Sequence, residues 1–309
     1  MHQCWSFLFI AIKMALVSLI AVYLMLTVMP HFFVEISGHR ITVDLSYTLD
    51  SSVMKWITNR EFELKVINST SKRSDSPIWY QTDEITMSTH TGTHLDAPIH
   101  FAKNRWTVAE IPLHHLIERP LSIIDIVDQA QSTRDYAATV DDVKQWEEIN
   151  GEIPEESVVI FRTGWSKFWP NKLDYFGTDT KDPKLAHFPG IHHDTAQWLV
   201  DKRKIFGLGI DSPSVDCGQC SELRTHVIVG NANVYNLENI EKSIFRLPNV
   251  GATITTLPIK IAGASGTPVR VIAQYAHNHA DTNSGIGLNP SILTIITFIL
   301  FALYNMVHH

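Results

Sequence analysis

The hydrophobic pattern divides the chain into two apolar ends and a middle of short alternating elements. Residues 14–29 are apolar apart from the small hydroxyls of Ser18 and Thr27, and a weaker apolar stretch, residues 5–12, precedes them across Lys13. That run is long for the hydrophobic region of a signal peptide and short for a full span. Residues 1–30 are therefore expected to form a cleaved signal peptide or an uncleaved signal anchor. At the other end residues 292–307 carry no charge, and small polar residues at 281–285 with a short spacer precede them. This order is expected of a GPI-attachment signal, with a transmembrane tail over residues 283–309 as the alternative. Both ends point to the secretory pathway and to an extracellular or lumenal, membrane-associated protein, and the sequon Asn68-Ser69-Thr70 fits a glycoprotein of that kind.

Between residues 36 and 281 the period changes. Runs rich in β-branched residues predict strands at 40–45, 121–126, 157–162, 205–210 and 268–273. Helices are predicted at 139–150, where Val140, Val143 and Trp146 recur behind Asp141-Asp142, and at 193–202, where Ala196, Leu199 and Val200 share a face. No internal repeat or low-complexity linker interrupts this alternation, so one α/β domain with helices outside the sheet is expected. Gly and Pro cluster at Phe188-Pro189-Gly190 and at 263–268, loops suited to lining a site.

Composition changes the picture in two ways. The chain has 309 residues, 45% of them apolar, enough for a sizeable core. Only 18% are charged, with 32 acidic against 25 basic residues and no extended Lys/Arg run, which argues against a nucleic-acid partner. Three cysteines cannot form a disulfide scaffold, and a cleaved N-terminus would remove Cys4. The remaining pair, Cys217 and Cys220, supplies only half of a structural zinc site, so a local disulfide is the expected state.

The chemistry concentrates at residues 88–101, where His90, His94, Asp96 and His100 fall within eleven residues. Imidazole and carboxylate together are the ligand set of Zn²⁺ or Mn²⁺ hydrolytic sites. A fully extended chain would separate His90 from His94 by about 13 Å at ~3.3 Å per residue, too far to share an ion. The chain must turn between them, and Gly92 permits it; a single helical turn would suffice. Asp96 shares a face with His94 only along an extended segment, and Pro98 favours that extension at Ala97. The helical His-Glu-x-x-His pattern of zinc proteases is absent. Gly263-Ala264-Ser265-Gly266-Thr267 misses the Gly-x-Ser-x-Gly elbow by one position, which excludes a serine-triad route.

The segment His90-Thr91-Gly92-Thr93-His94-Leu95-Asp96-Ala97-Pro98-Ile99-His100 resembles the hallmark of the metal-dependent cyclase family, which includes bacterial-type kynurenine formamidases and isatin hydrolases. The resemblance implies that His90 and His94 bind metal, that Asp96 bridges two ions or completes one site, and that His100 gives and takes protons. It also implies a second His and a Glu twelve residues apart in the C-terminal half, which His226 and Glu238 provide as further ligands. Trp56 resembles the aromatic that lies against the substrate ring, although the Pro usually found after it is replaced by Ile57. Asp211 and Ser214 are expected to order the loop leading to His226. The family implies a swivelling β/β/α domain over 36–281, one or two Zn²⁺ or Mn²⁺ ions, and a homodimer. The activity implied is hydrolysis of a small aromatic amide, with N-formyl-L-kynurenine to L-kynurenine and formate foremost. Ring opening of a cyclic amide such as isatin, or a non-catalytic surface binding protein of the same fold, are the alternatives.

Overall fold

The computed structural model describes residues 40–71 and 78–276. The expected signal peptide or anchor, the hydrophobic tail and Cys4 lie outside the described residues. One compact unit, Ile41–Tyr275, holds the features that follow.

Twelve strands occur among the described residues: β1 (Arg40–Asp44), β2 (Glu63–Ser71), β3 (Ile78–Thr86), β4 (His94–Asp96), β5 (Arg119–Asp125), β6 (Ala137–Ala138), β7 (Val158–Arg162), β8 (Gly190–Ile191), β9 (Gly207–Ile210), β10 (Tyr235–Glu238), β11 (Ala252–Pro258) and β12 (Gly266–Ala276). The main sheet runs β1-β12-β11-β5-β7-β9-β10-β4, and β4 pairs a second time, with β12. That second pairing closes seven strands into a barrel-like ring and leaves β1 as an extra edge on β12. The neighbours β5, β7, β9 and β10 are parallel. The pairings β4–β10, β4–β12, β11–β12 and β5–β11 are antiparallel. The expected α/β alternation therefore holds on one arc of the ring only.

Burial explains why the parallel arc reads as continuous apolar runs. Leu121, Ile123, Val158, Ile160 and Leu237 point into the ring and pack with Ile254, Val271 and Ala273 from the antiparallel side. Ile124, Val159, Phe161, Leu208 and Ile210 point the other way, against helices. The α-helices among the described residues are α1 (Leu113–Leu116), α2 (Val127–Ser132), α3 (Val140–Asn150), α4 (Lys172–Phe176), α5 (His193–Trp198) and α6 (Arg224–Asn231), of which α3, α5 and α6 supply Val143, Trp146, Ala196 and Val229 to this second core. Thr139 caps α3, accepting from Asp142 N while the Asp142 carboxylate accepts from Thr139 N at 2.7 Å, a reciprocal capping box. The expected second helix holds its α form only to Trp198 and continues as a π-helical turn over Leu199–Arg203.

The strands β2 and β3 form a separate two-stranded sheet that pairs with no other strand among the described residues. Asn68 of the sequon lies on it, exposed and opposite Gln81. The secretory, membrane-associated localisation expected above requires correction. Among the described residues no helix is long and apolar enough to cross a membrane. The longest, α3, has 11 residues, about 16 Å at 1.5 Å per residue against ~30 Å of hydrocarbon.

Candidate metal centre and pocket

His90 and His94 are brought together by a left-handed turn, not by a helix. Gly92 has φ +61°, and a Cβ there would lie 3.0 Å from both Leu49 Cδ2 and Val53 Cγ2, so the position demands glycine. Its N–H donates to Met54 O at 2.7 Å, and Thr91 bridges to Lys55, which fixes the turn against the preceding segment. The ring centroids of His90 and His94 end 5.2 Å apart. From His94 the chain is extended as β4, so His94 and Asp96 share a face as the spacing predicted. Ala97 is extended at φ −75°, ψ 152°, as expected of a residue before proline, and Pro98–His100 form one 3₁₀ turn. That turn carries His100 back so that its ring stacks on His90, centroids 4.1 Å apart.

The distant pair arrives from two other elements. Glu238 ends β10 directly opposite His94 in the β10–β4 register. His226 sits in the first turn of α6. His94 Nε2 lies 3.3 Å from Asp96 Oδ1 and 3.3 Å from Glu238 Oε2. His226 Nε2 lies 3.3 Å from Asp96 Oδ2 and 3.1 Å from Glu238 Oε1. Each carboxylate thus spans both imidazoles, and each imidazole faces both carboxylates. His90 Nδ1 joins at 2.6 Å from Asp96 Oδ1, its Nε2 lying 3.0 Å from Ser265 Oγ.

The outer contacts fix which ring nitrogens face inward. His94 Nδ1 is 2.9 Å from Gly92 O, and His226 Nδ1 is 2.6 Å from Asp216 Oδ2. Carbonyl and carboxylate oxygens only accept, so both Nδ1 atoms carry hydrogen and both Nε2 atoms turn to the centre. Asp216 also accepts from the backbone N–H groups of Thr225 and His226 at 2.9 and 3.1 Å, tying the start of α6 to the ring it orients.

This donor set fits a divalent cation. Two buried carboxylates and two inward nitrogens converge, while Asp96 Oδ2 is buried with no hydrogen-bond donor. In two groups, His90-His94-Asp96 and Asp96-His226-Glu238, the ligand atoms all lie within 4.8 Å of one another, with Asp96 common to both. The protonation balance expresses the same demand for positive charge. Burial would lower His94, but Asp96 and Glu238 push it up to about 10. Burial likewise opposes a rise at His226, and Asp216, Asp96 and Glu238 outweigh it. Burial alone would raise both carboxyls, yet the imidazoles hold Asp96 well below the usual range and Glu238 at about 2. His100 behaves oppositely: burial carries it down to about 4, leaving a neutral ring.

Above the centre opens a cavity of about 230 Å³, reached by His90, His94, His100, His226 and Glu238. Its walls are aromatic and apolar, with Trp56, Phe101, Phe176 and Leu223. Trp56 meets Phe176 and Phe188 edge-on, centroids 6.3 Å apart in each case, so its indole is braced on the cavity wall. All six predicted site residues of the metal centre and proton shuttle meet here, and Trp56 lines the same space.

The Cyclase family profile matches residues 43–217, more than half of the chain. This chain belongs to the Cyclase family. Among curated relatives it is 28% identical over 208 residues to isatin hydrolase of Roseibium aggregatum, covering 65% of this chain and 76% of the relative. It is also 28% identical over 230 residues to kynurenine formamidase of Bacillus cytotoxicus, covering 74% of this chain and 95% of that one. Among solved structures, isatin hydrolase A from Ralstonia solanacearum superposes with TM-score 0.69 at 28% identity, over 81% of this chain and 97% of the other. These Cyclase relatives are bacterial enzymes. The expected secretory-pathway, membrane-associated localisation is withdrawn, and the terminal segments on which it rested lie outside the described residues.

Some contributors to this Cyclase site were not anticipated. Asp216 and Asn239, whose Nδ2 donates to Gly92 O at 2.9 Å, hold the imidazoles without standing in any ligand pattern. Asp211 was expected to order the loop toward His226. It instead accepts from Thr163 N, Thr163 Oγ1, Gly164 N and Ser166 Oγ at 2.6 to 3.1 Å, so it organises residues 163–166. Asp216 performs the task assigned to it. Cys217 and Cys220 form the expected local disulfide, just after Asp216.

Proposed function

We propose that this chain is a metal-dependent hydrolase of a small aromatic amide, acting on N-formyl-L-kynurenine to give L-kynurenine and formate. The observation that carries this reading is the four-way convergence of His94, His226, Asp96 and Glu238 beneath an aromatic-walled cavity with His100 on its rim. His90, His94, Asp96, His226 and Glu238 are the ligands for Zn²⁺ or Mn²⁺. The sharing of Asp96 by two ligand groups accommodates one ion or two. A divalent ion held there supplies Lewis acidity, polarising a carbonyl and acidifying water.

The protein residues do the rest. Trp56, Phe101 and Phe176 clasp the aryl ring and exclude bulk water. His100, neutral and stacked on His90, takes the proton of the attacking water and returns it to the departing nitrogen. Asp216 keeps His226 Nε2 turned inward throughout. The closed sheet with helices along its parallel arc is read as the swivelling β/β/α domain of this family.

A second reading, ring opening of isatin, draws support from the isatin hydrolases among the solved structures at 28% identity. The same groups would act on a cyclic amide. Formate release from N-formylkynurenine by metal-loaded protein, abolished by chelation, is the expected result. Turnover of isatin alone would favour the second reading. Stoichiometric metal with no turnover of either would leave a binding protein.

A further inference from the structure

The cavity has one feature that the chemistry above leaves unused. Lys55 lines it, beside Trp56 and Asn59, and among the described lining residues it is the only Lys or Arg. Its backbone is bridged to Thr91, so it stands across from the turn that carries His90 and His94. The side chain is 11% exposed, and its ammonium lies 2.7 Å from the Oε1 of Glu61, whose own side chain is 80% exposed. The stem is thus enclosed in the cavity wall while its partner stands in solvent.

A pair of that kind gains little from its own attraction, because the exposed member is screened and mobile. Enclosing a lysine stem also costs rotamer freedom. The arrangement makes chemical sense when a second anion can take the place of Glu61. Glu238, the carboxylate among the cavity's lining residues, and Asp96 beside it face imidazoles. From floor to mouth the space therefore offers a cation site, aromatic walls and an ammonium whose partner is easily exchanged.

We propose that Lys55 determines specificity, selecting aryl amides that carry a carboxylate, and that Glu61 is a counter-ion which the ligand carboxylate displaces. The inference rests on the hydrolase reading and narrows its substrate class.

The experiment uses the full chain loaded with metal. Binding of 2-aminobenzoate and of its neutral counterpart 2-aminobenzamide is followed by tryptophan fluorescence in the wild type, Lys55→Gln, Lys55→Arg and Glu61→Gln. Hydrolysis of N-formylanthranilate and formanilide is measured alongside. Lys55→Gln should weaken 2-aminobenzoate about 10- to 100-fold while moving 2-aminobenzamide less than about twofold, the loss of one charge-assisted hydrogen bond. Lys55→Arg should restore most of the binding. Glu61→Gln should shift 2-aminobenzoate in the opposite direction, toward tighter binding, because a competitor has been removed. With substrates, Lys55→Gln should raise KM for N-formylanthranilate more than it lowers kcat.

A structural ion pair would behave differently. If Lys55→Gln and Glu61→Gln weaken both ligands alike, or if the wild type does not distinguish acid from amide, the proposal is overturned. Turnover of formanilide and N-formylanthranilate with equal efficiency in wild type and Lys55→Gln would overturn it while leaving the hydrolase reading intact. The binding pattern without turnover would do the reverse.

Discussion

Asp216 accepts two hydrogen bonds from His226, from its ring Nδ1 at 2.6 Å and its backbone N–H at 3.1 Å, and a third from the neighbouring Thr225 N–H at 2.9 Å. One carboxylate thereby starts a helix and aims a candidate ligand. Asp216→Asn keeps the shape and removes the charge. It should weaken metal binding about 10- to 100-fold, as outer partners of ligating histidines generally do, and titration with a metallochromic competitor checks this. Unchanged affinity would show that α6 alone positions His226.

His94→Ala and His100→Ala should separate holding the ion from using it. The first removes a nitrogen that faces both carboxylates, and the purified variant should lose its metal by elemental analysis. The second should retain metal and lose turnover by about 10²- to 10⁴-fold, the usual contribution of a positioned acid-base group. Metal retention with unchanged activity in both would contradict the assignment.

Chelation should lower thermal stability, since the ligands meet only in the folded chain. At a free metal concentration 1,000 times Kd the stabilisation is about 4 kcal/mol, readable as a fall in Tm on adding EDTA. Loading should also release protons. Without the ion His94 is pushed up to about 10, so protons compete for the centre, and affinity should rise with pH. Calorimetry in buffers of different ionisation enthalpy reports the number released; a pH-independent affinity would count against this ligand set.

Asp211→Ala addresses the scaffold. It deprives Thr163 N, Gly164 N and two hydroxyls of their buried acceptor. Leaving such donors unsatisfied costs roughly 2 to 4 kcal/mol, measurable as a lower urea midpoint. Metal content should be unchanged in the protein that remains folded, because Asp211 contacts residues 163–166 and not the ligands.

What the sequence made legible follows from where the information lies. The strands β5 and β7 announced themselves because both faces are buried, and α3 because its cap and its Val143 and Trp146 stripe are local. The candidate ligands of residues 90–100 were readable because glycine, proline and strand periodicity constrain a short segment. The helical turn considered between His90 and His94 gave way to a left-handed Gly92, whose need for glycine arises from Leu49 and Val53, more than thirty residues earlier. Three-residue β4 was invisible as a strand, since its partners Asn236–Glu238 and Gly266–Pro268 are remote in sequence. Asp216 was missed for the same reason: its role exists only after the chain folds back upon α6.

The short strand β4 has a second duty besides presenting His94 and Asp96. By pairing with both β10 and β12 it acts as the buckle of the ring. Ligand geometry and closure of the belt are therefore one event. A polypeptide ending ahead of Gly266 would still possess every predicted ligand and the β4–β10 pairing, yet lack the strand that completes the ring.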